Sequence, residues 1–347
     1  MDRRVSAQPA PSGKKRINLA LQGGGAHGAF TWGAIDALLA DGRFEIAAVS
    51  GASAGAMNAV VLADGLREGG PDGARKQLEQ FWRAVSLDGQ LNEAQRSLFD
   101  AWLGAFDPLK FSERFWQSAS SFVSPYDFNP LDINPLRSAL VQLIDFDALR
   151  ATDAVKLFIA ATNVHTGRIK VFHRDELTVD MVMASACLPT LFKAVEIDDV
   201  PYWDGGYSGN PPLFPFFSET DCLDVILIQL DPIERPGTPD SAAEIMQRMN
   251  EITFNAPLLG EFRAIDFVAR LIDDGRLKGT HYKKVRMHLI EGGKALAAYT
   301  ADTKLQADYD LFKKLFALGR RAGEQFIADN YEAIGEKGTL NLRQYLD

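Results

Sequence analysis

Five residues, Gly51-Ala52-Ser53-Ala54-Gly55, restrict what this chain can fold into more than any other stretch. They follow an apolar run at 44–50 and precede a run of small residues at 54–63, so a strand must hand over to a helix within a few residues. A serine pushed outward on such a turn brings backbone against backbone. Only glycine or alanine beside it permits that approach, and all the flanking residues are Gly or Ala. The pattern fits a nucleophile elbow, whose following helix directs its positive end at the space where an oxyanion would form. The plain alternative is a small-residue turn in which Ser53 merely caps the helix. Ser50 is a nearby rival but lacks the symmetric glycines.

A second glycine-rich turn precedes the first. Residues 17–22 are a short apolar run ending in Gly23-Gly24-Gly25-Ala26-His27-Gly28, after which Phe30, Ala34, Ala37 and Leu38 recur at helical spacing. Strand, loop, helix, strand, helix is the alternation of a parallel α/β sheet, whose active sites lie at the carboxyl ends of strands. Gly23, Gly25 and Gly28 match the dinucleotide fingerprint, but that fingerprint wants an acid ending the next strand. Glu45 begins that strand, and Ser50 and Gly51 end it. As an oxyanion hole the run makes better sense, since glycines let N–H groups converge on a developing negative charge. A plain tight turn remains the bland reading.

The expected fold is therefore α/β, with a central, largely parallel sheet flanked by helices. Glycine and proline at 69–73 mark a break, and the aromatics from Phe81 and Trp82 through Phe128 crowd into an expected helical, aromatic-rich insertion at about 70–135. Those aromatics read either as core packing or as a lid or lipid-facing surface. Sheet signals return at 157–162, 169–172 and 225–230, and a helical part is expected at about 240–335. Residues 1–16 mix Arg and Lys with Pro9 and Pro11 and read as a disordered arm, leaving a domain at 17–335 and a tail at 336–347.

The formal charge of −9 argues against nucleic-acid partners and against electrostatic adhesion to acidic membranes, so any peripheral membrane contact would be mainly apolar. No stretch reaches the roughly 20 apolar residues of a bilayer crossing. Cys187 and Cys222 are too few for a disulfide framework and too isolated for a metal site, so they read as core thiols in a reducing, cytoplasmic setting. No cofactor is implied.

A serine nucleophile needs a base. The serine, acid, histidine order of α/β-hydrolases would nominate His281 or His288, but both sit among Lys and Arg in what reads as a surface-bordering segment. Asp204 is the better candidate, because Tyr202-Trp203-Asp204-Gly205-Gly206 sets an acid between aromatics and a glycine pair suited to a tight turn beside a buried site. Taken alone, the same residues are an ordinary hairpin turn.

Together these elements resemble the patatin-like phospholipase family. Gly23 to Gly28 is similar to its oxyanion loop, Gly51 to Gly55 to its serine elbow, and Asp204-Gly205-Gly206 to its Asp-Gly-Gly motif. Ala161-Thr162-Asn163, residues 184–189 and Asn210-Pro211-Pro212 also resemble family segments. The resemblance implies a lipid acyl hydrolase of the phospholipase A or lipase type. Ser53 would attack an acyl ester, Asp204 would take its proton without a histidine, and the amides of Gly24 and Gly25 would hold the oxyanion of an acyl-enzyme reaction. His27 stands where the family usually has Arg or Lys. An acyltransferase or thioesterase with the same dyad, and a nucleotide-binding regulatory module, are the rivals.

Overall fold

The computed structural model describes residues 13–86, 135–189, 191–277, 282–299, 303 and 307–346. Its centre is a sheet of strands β1 (Lys15–Leu21), β2 (Phe44–Gly51), β3 (Lys156–Asn163), β4 (Ile169–His173), β5 (Val195–Ile197), β6 (Val200–Asp204), β7 (Asp224–Gln229) and β8 (Arg286–Glu291). Their order is β5-β6-β3-β2-β1-β7-β8, with β4 paired to β3 off this path. The β3-β2-β1-β7-β8 core is parallel and the β4, β5 and β6 pairings are antiparallel.

One register detail decides where the chemistry sits. Strand β3 pairs with β2 through 156–159, with β6 through 161–163, and with β4 through 158–162. Because β4 overlaps both ranges it takes one edge of β3, and β2 and β6 share the other, end to end. Strand β6 runs against β3, so Asp204 at its end, opposite Ala161, approaches Gly51 at the end of β2, opposite Ile159. Two residues of β3 separate the two strand ends, about 7 Å.

Alternation along the strands divides the core. Leu19, Leu21, Ile226 and Ile228 face one layer, while Ala20, Val225 and Leu227 face the other. The first layer holds helices α1 (Gly28–Asp41), α2 (Ala54–Ala84) and, near the end of the chain, α9 (Tyr309–Asn330). The second holds α6 (Pro215–Glu219) and α7 (Ala242–Asp273), which buries Leu258 and Phe262. Short helices α3 (Pro135–Leu143), α4 (Phe146–Ala151), α5 (Val179–Ser185) and α8 (Gly293–Ala297) complete the described elements.

Several boundaries differ from the sequence expectation. Strand β1 starts at Lys15, inside the expected arm, because its N–H bonds to Arg43 and its ammonium to the carbonyl of Tyr331 hold it in the sheet. The break at 69–73 is a kink at Gly69–Gly70 inside α2, beyond which Phe81 and Trp82 are core residues. The rest of the aromatic insertion lies outside the described residues. The expected helical stretch at 240–335 contains strand β8, whose six residues are too short and too charged at their ends to stand out. The expected tail is a cover: Thr339 and Leu340 donate to the carbonyl of Met287, and Leu340, Leu342 and Tyr345 pack on the second core layer.

Candidate active site

Ser53 sits between the end of β2 and the start of α2 with φ 53° and ψ −125°, a strained conformation for a residue with a Cβ. The surroundings enforce it. The Ser53 N–H donates to both the hydroxyl and the carbonyl of Ser185, each at 3.1 Å, and the turn is closed by Gly55 N–H to the Ala52 carbonyl at 2.8 Å. A Cβ at Gly51 would lie 2.5 Å from the carbonyl oxygen of Gly55, and one at Gly55 would lie 2.1 Å from that of Leu21. The strand-to-helix handover therefore needs both glycines.

Asp204 ends β6 with no exposed surface. Its Oδ1 accepts the N–H of Gly206 at 2.7 Å, its own N–H donates to the Cys187 carbonyl at 2.8 Å, and its carbonyl accepts the Thr162 hydroxyl at 2.7 Å. Its Oδ2 is buried and has no hydrogen-bond partner among the described residues. A Cβ at Gly205 would lie 2.2 Å from the carbonyl of Ala160, so the Asp-Gly-Gly turn lies tight on β3. Burial pushes the carboxyl up to about 7, against the opposing pull of the Gly206 N–H and of the Ser53 hydroxyl beside it.

The glycine loop borders the same space. The would-be Cβ of Gly23 points at the Ser53 Cβ, 2.8 Å away. Gly23 N–H donates to Asn210 Oδ1 at 2.7 Å, which fixes where the loop leaves β1. Gly24 and Gly25 then lead into a short 3₁₀ turn at Gly25–His27, with Gly25 at φ 58°. Among the described residues neither amide donates a hydrogen bond. Gly28 begins α1, against Ala54 and Trp82. Beside Ser53 opens an apolar pocket lined by Met57, Phe81, Trp82, Val85, Leu136 and Phe312.

The residues singled out by sequence thus converge: Ser53, Asp204, Gly23 to Gly25 and the Gly205-Gly206 turn meet at one end of the sheet. Among the described residues, the histidine nominated by the hydrolase order does not join them. His288 is fully buried in β8, not at a surface border, and bonds Asp224 at 3.1 Å and Thr339 at 2.9 Å. Asp224 begins β7, at the opposite end of the strands from the site. His281 lies outside the described residues. His27 is buried, with Nε2 2.9 Å from the Thr303 hydroxyl and its ring edge-on to Tyr299.

Supporting residues escaped sequence reasoning. Asn210 and Ser185 lay in noticed segments but had no assigned role, since the partners that give them one are 187 and 132 residues away. Gln22 is fully buried and accepts the N–H groups of Leu230 and Asp231 at 2.7 and 2.8 Å while donating to Asn255 of α7 at 2.9 Å. Leu230 in turn backs Gly24. A polar residue closing an apolar strand was the available signal.

A solved structure of VipD from Legionella pneumophila matches at 16% identity over 89% of this chain and 67% of that one, with a TM-score of 0.36. No curated protein matches the chain. The family model for patatin-like phospholipase matches residues 19–217, more than half of the 347 and enclosing the serine elbow, the glycine loop and the Asp-Gly-Gly turn. The chain belongs to the patatin-like phospholipase family.

Proposed function

We propose that this chain hydrolyses carboxylic esters of lipids through Ser53 and Asp204 alone, by way of an acyl-enzyme. The observation that carries the reading is the pairing of a strained Ser53 beside the apolar pocket with a buried Asp204 whose Oδ2 is open to accept a proton. An ordinary carboxylate, near 3.8, is a poor base for an alcohol. A carboxylate held near 7 by burial is much closer to the operating range of a general base. Catalytic hydrogen bonds are often loosely aligned before substrate binds and tighten with it.

In the first half-reaction Ser53 Oγ bonds to the ester carbonyl carbon as its proton passes to Asp204 Oδ2. The carbonyl electron pair moves to oxygen, where the N–H groups of Gly24 and Gly25 and the first turn of α2 receive it. Collapse breaks the bond to the alcohol, which leaves with the proton from Asp204. Water then repeats the sequence on the acyl-enzyme, giving the free acid and restoring Ser53. The apolar pocket beside Ser53 suits an acyl chain.

Labelling with a fluorophosphonate probe followed by peptide mapping tests the nucleophile, and the modified residue should be Ser53. Ser53→Ala should abolish hydrolysis of a short-chain aryl ester, and Asp204→Asn should lower turnover by about 10² or more. Full activity in either folded variant would sink the dyad.

A further inference from the structure

The N-terminal half of α7 is inverted for a helix of a water-exposed protein. Glu251, its side chain 2% exposed, is turned inward onto Arg235 at 2.7 Å and Arg248 at 3.1 Å, and Gln247 bonds it as well. Ile245, Met249 and Ile252, at spacings of four and three, point outward at 43%, 55% and 54% exposure, with Met246 beside them. Between Ile245 and Gly260 the only charged residues are Arg248 and Glu251, and these pair with each other on the inner side. The outer face is therefore uncharged for about four turns of helix.

We propose that this outer face of α7 is a lipid-docking surface, seating the protein on a neutral or zwitterionic lipid interface. The assignment rests on the lipid hydrolase reading above for its choice of occupant, and on two further observations. First, α7 adjoins the site: Phe254 packs on Tyr207 with ring centroids 5.1 Å apart and meets the would-be Cβ of Gly206, two residues after Asp204, at 2.3 Å. Tyr207 itself is partly exposed there. Lipid held against α7 thus lies about one helix diameter from the catalytic carboxylate. Second, charge selects the lipid. With a net charge of −9 and no cation on the outer face, the surface fits an uncharged interface and repels an anionic one. Burial of Ile, Met and Ile side chains supplies the attraction.

The test uses the full chain carrying Ser53→Ala, so that vesicles stay intact, and measures co-sedimentation with phosphatidylcholine vesicles. Met249→Glu and Ile252→Glu, made singly, should each weaken binding by about 10-fold, because each places a charge in an apolar interface. In the Ser53 background the same substitutions should leave soluble aryl-ester turnover within two-fold, which also reports that they fold. Vesicle binding undiminished by both substitutions would overturn the proposal. So would failure of the unsubstituted chain to bind these vesicles, or light scattering showing that the substitutions split a dimer, since a second copy would then be the occupant. Absence of soluble-ester turnover in the unsubstituted chain would instead sink the hydrolase reading, and the vesicle measurement decides the docking face in either case.

Discussion

Asp204 illustrates how a residue suited to catalysis is unfavourable for folding. Its carboxyl is raised from 3.8 to about 7, so between these values the folded state binds more protons than the unfolded one, and stability falls as pH rises through that window. The proposed catalysis needs the opposite form, since only the carboxylate could accept the Ser53 proton. Turnover of a neutral ester should therefore rise with pH through about 7 and level off above it, and a flat profile from pH 5 to 8 would contradict the role of Asp204. The same carboxylate yields a stability prediction. Asp204→Asn keeps the size and removes the buried charge, so at pH 8 its thermal midpoint should exceed that of the parent by roughly 2–8 °C while turnover is lost. Calorimetry beside an activity assay checks both.

Among elements, the crossing of α1 and α9 shows how closely the layers must pack to bring the glycine loop over the sheet. A Cβ at Gly319 of α9 would lie 1.9 Å from the Phe30 carbonyl, and one at Gly33 of α1 would lie 2.0 Å from the Phe316 carbonyl. Backbone, not a flexible side chain, stands in the way. Gly319→Ala should therefore force the helices apart and destabilise the fold by about 1–3 kcal/mol, despite the better helix propensity of alanine. Because α1 continues the chain from Gly25–His27, the displacement should reach the glycine loop. Chemical denaturation should show the midpoint move down with an unchanged slope, and a neutral or stabilised variant would refute the packing argument.

At the scale of the whole molecule, the far end of the sheet is tied to the chain terminus by one buried carboxylate. Asp224 contacts His288 at 3.1 Å, Arg286 at 3.0 Å and the N–H of Gly335 at 3.0 Å, joining β7, β8 and the segment after α9. Burial raises its pKa, but the bonds from His288 and Gly335 and the charge of Arg286 outweigh that and hold it below the usual range. A depressed carboxylate contributes stability that is present above the unfolded value, near 3.8, and lost as pH falls through the folded one. Asp224→Ala leaves a buried histidine and a half-buried arginine without their partner and should cost about 3–5 kcal/mol at pH 7. The loss should shrink toward pH 3, which urea titrations at the two pH values would reveal, while aryl-ester hydrolysis by the folded fraction persists.

The sequence by itself determined the α/β alternation, the serine elbow, the glycine loop and the Asp-Gly-Gly turn. Each of these is legible locally, in clustered Gly and Ala residues or in the period of apolar residues, even where the backbone that requires the glycine comes from a distant strand, as Leu21 does for Gly55 and Ala160 for Gly205. His288 was misread as bordering the surface because its neighbours are basic, whereas burial depends on what packs from elsewhere, here Asp224 and Thr339. Strand β8 and the packed terminus were hidden for the same reason, since both are defined by pairing with distant segments. Asn210, Ser185, Gln22 and Asn255 gained their roles only in three dimensions. The meeting of Ser53 with Asp204, 151 positions apart in the chain, came from register: β2 and β6 end head to head along one edge of β3, and no local pattern encodes which strands share an edge.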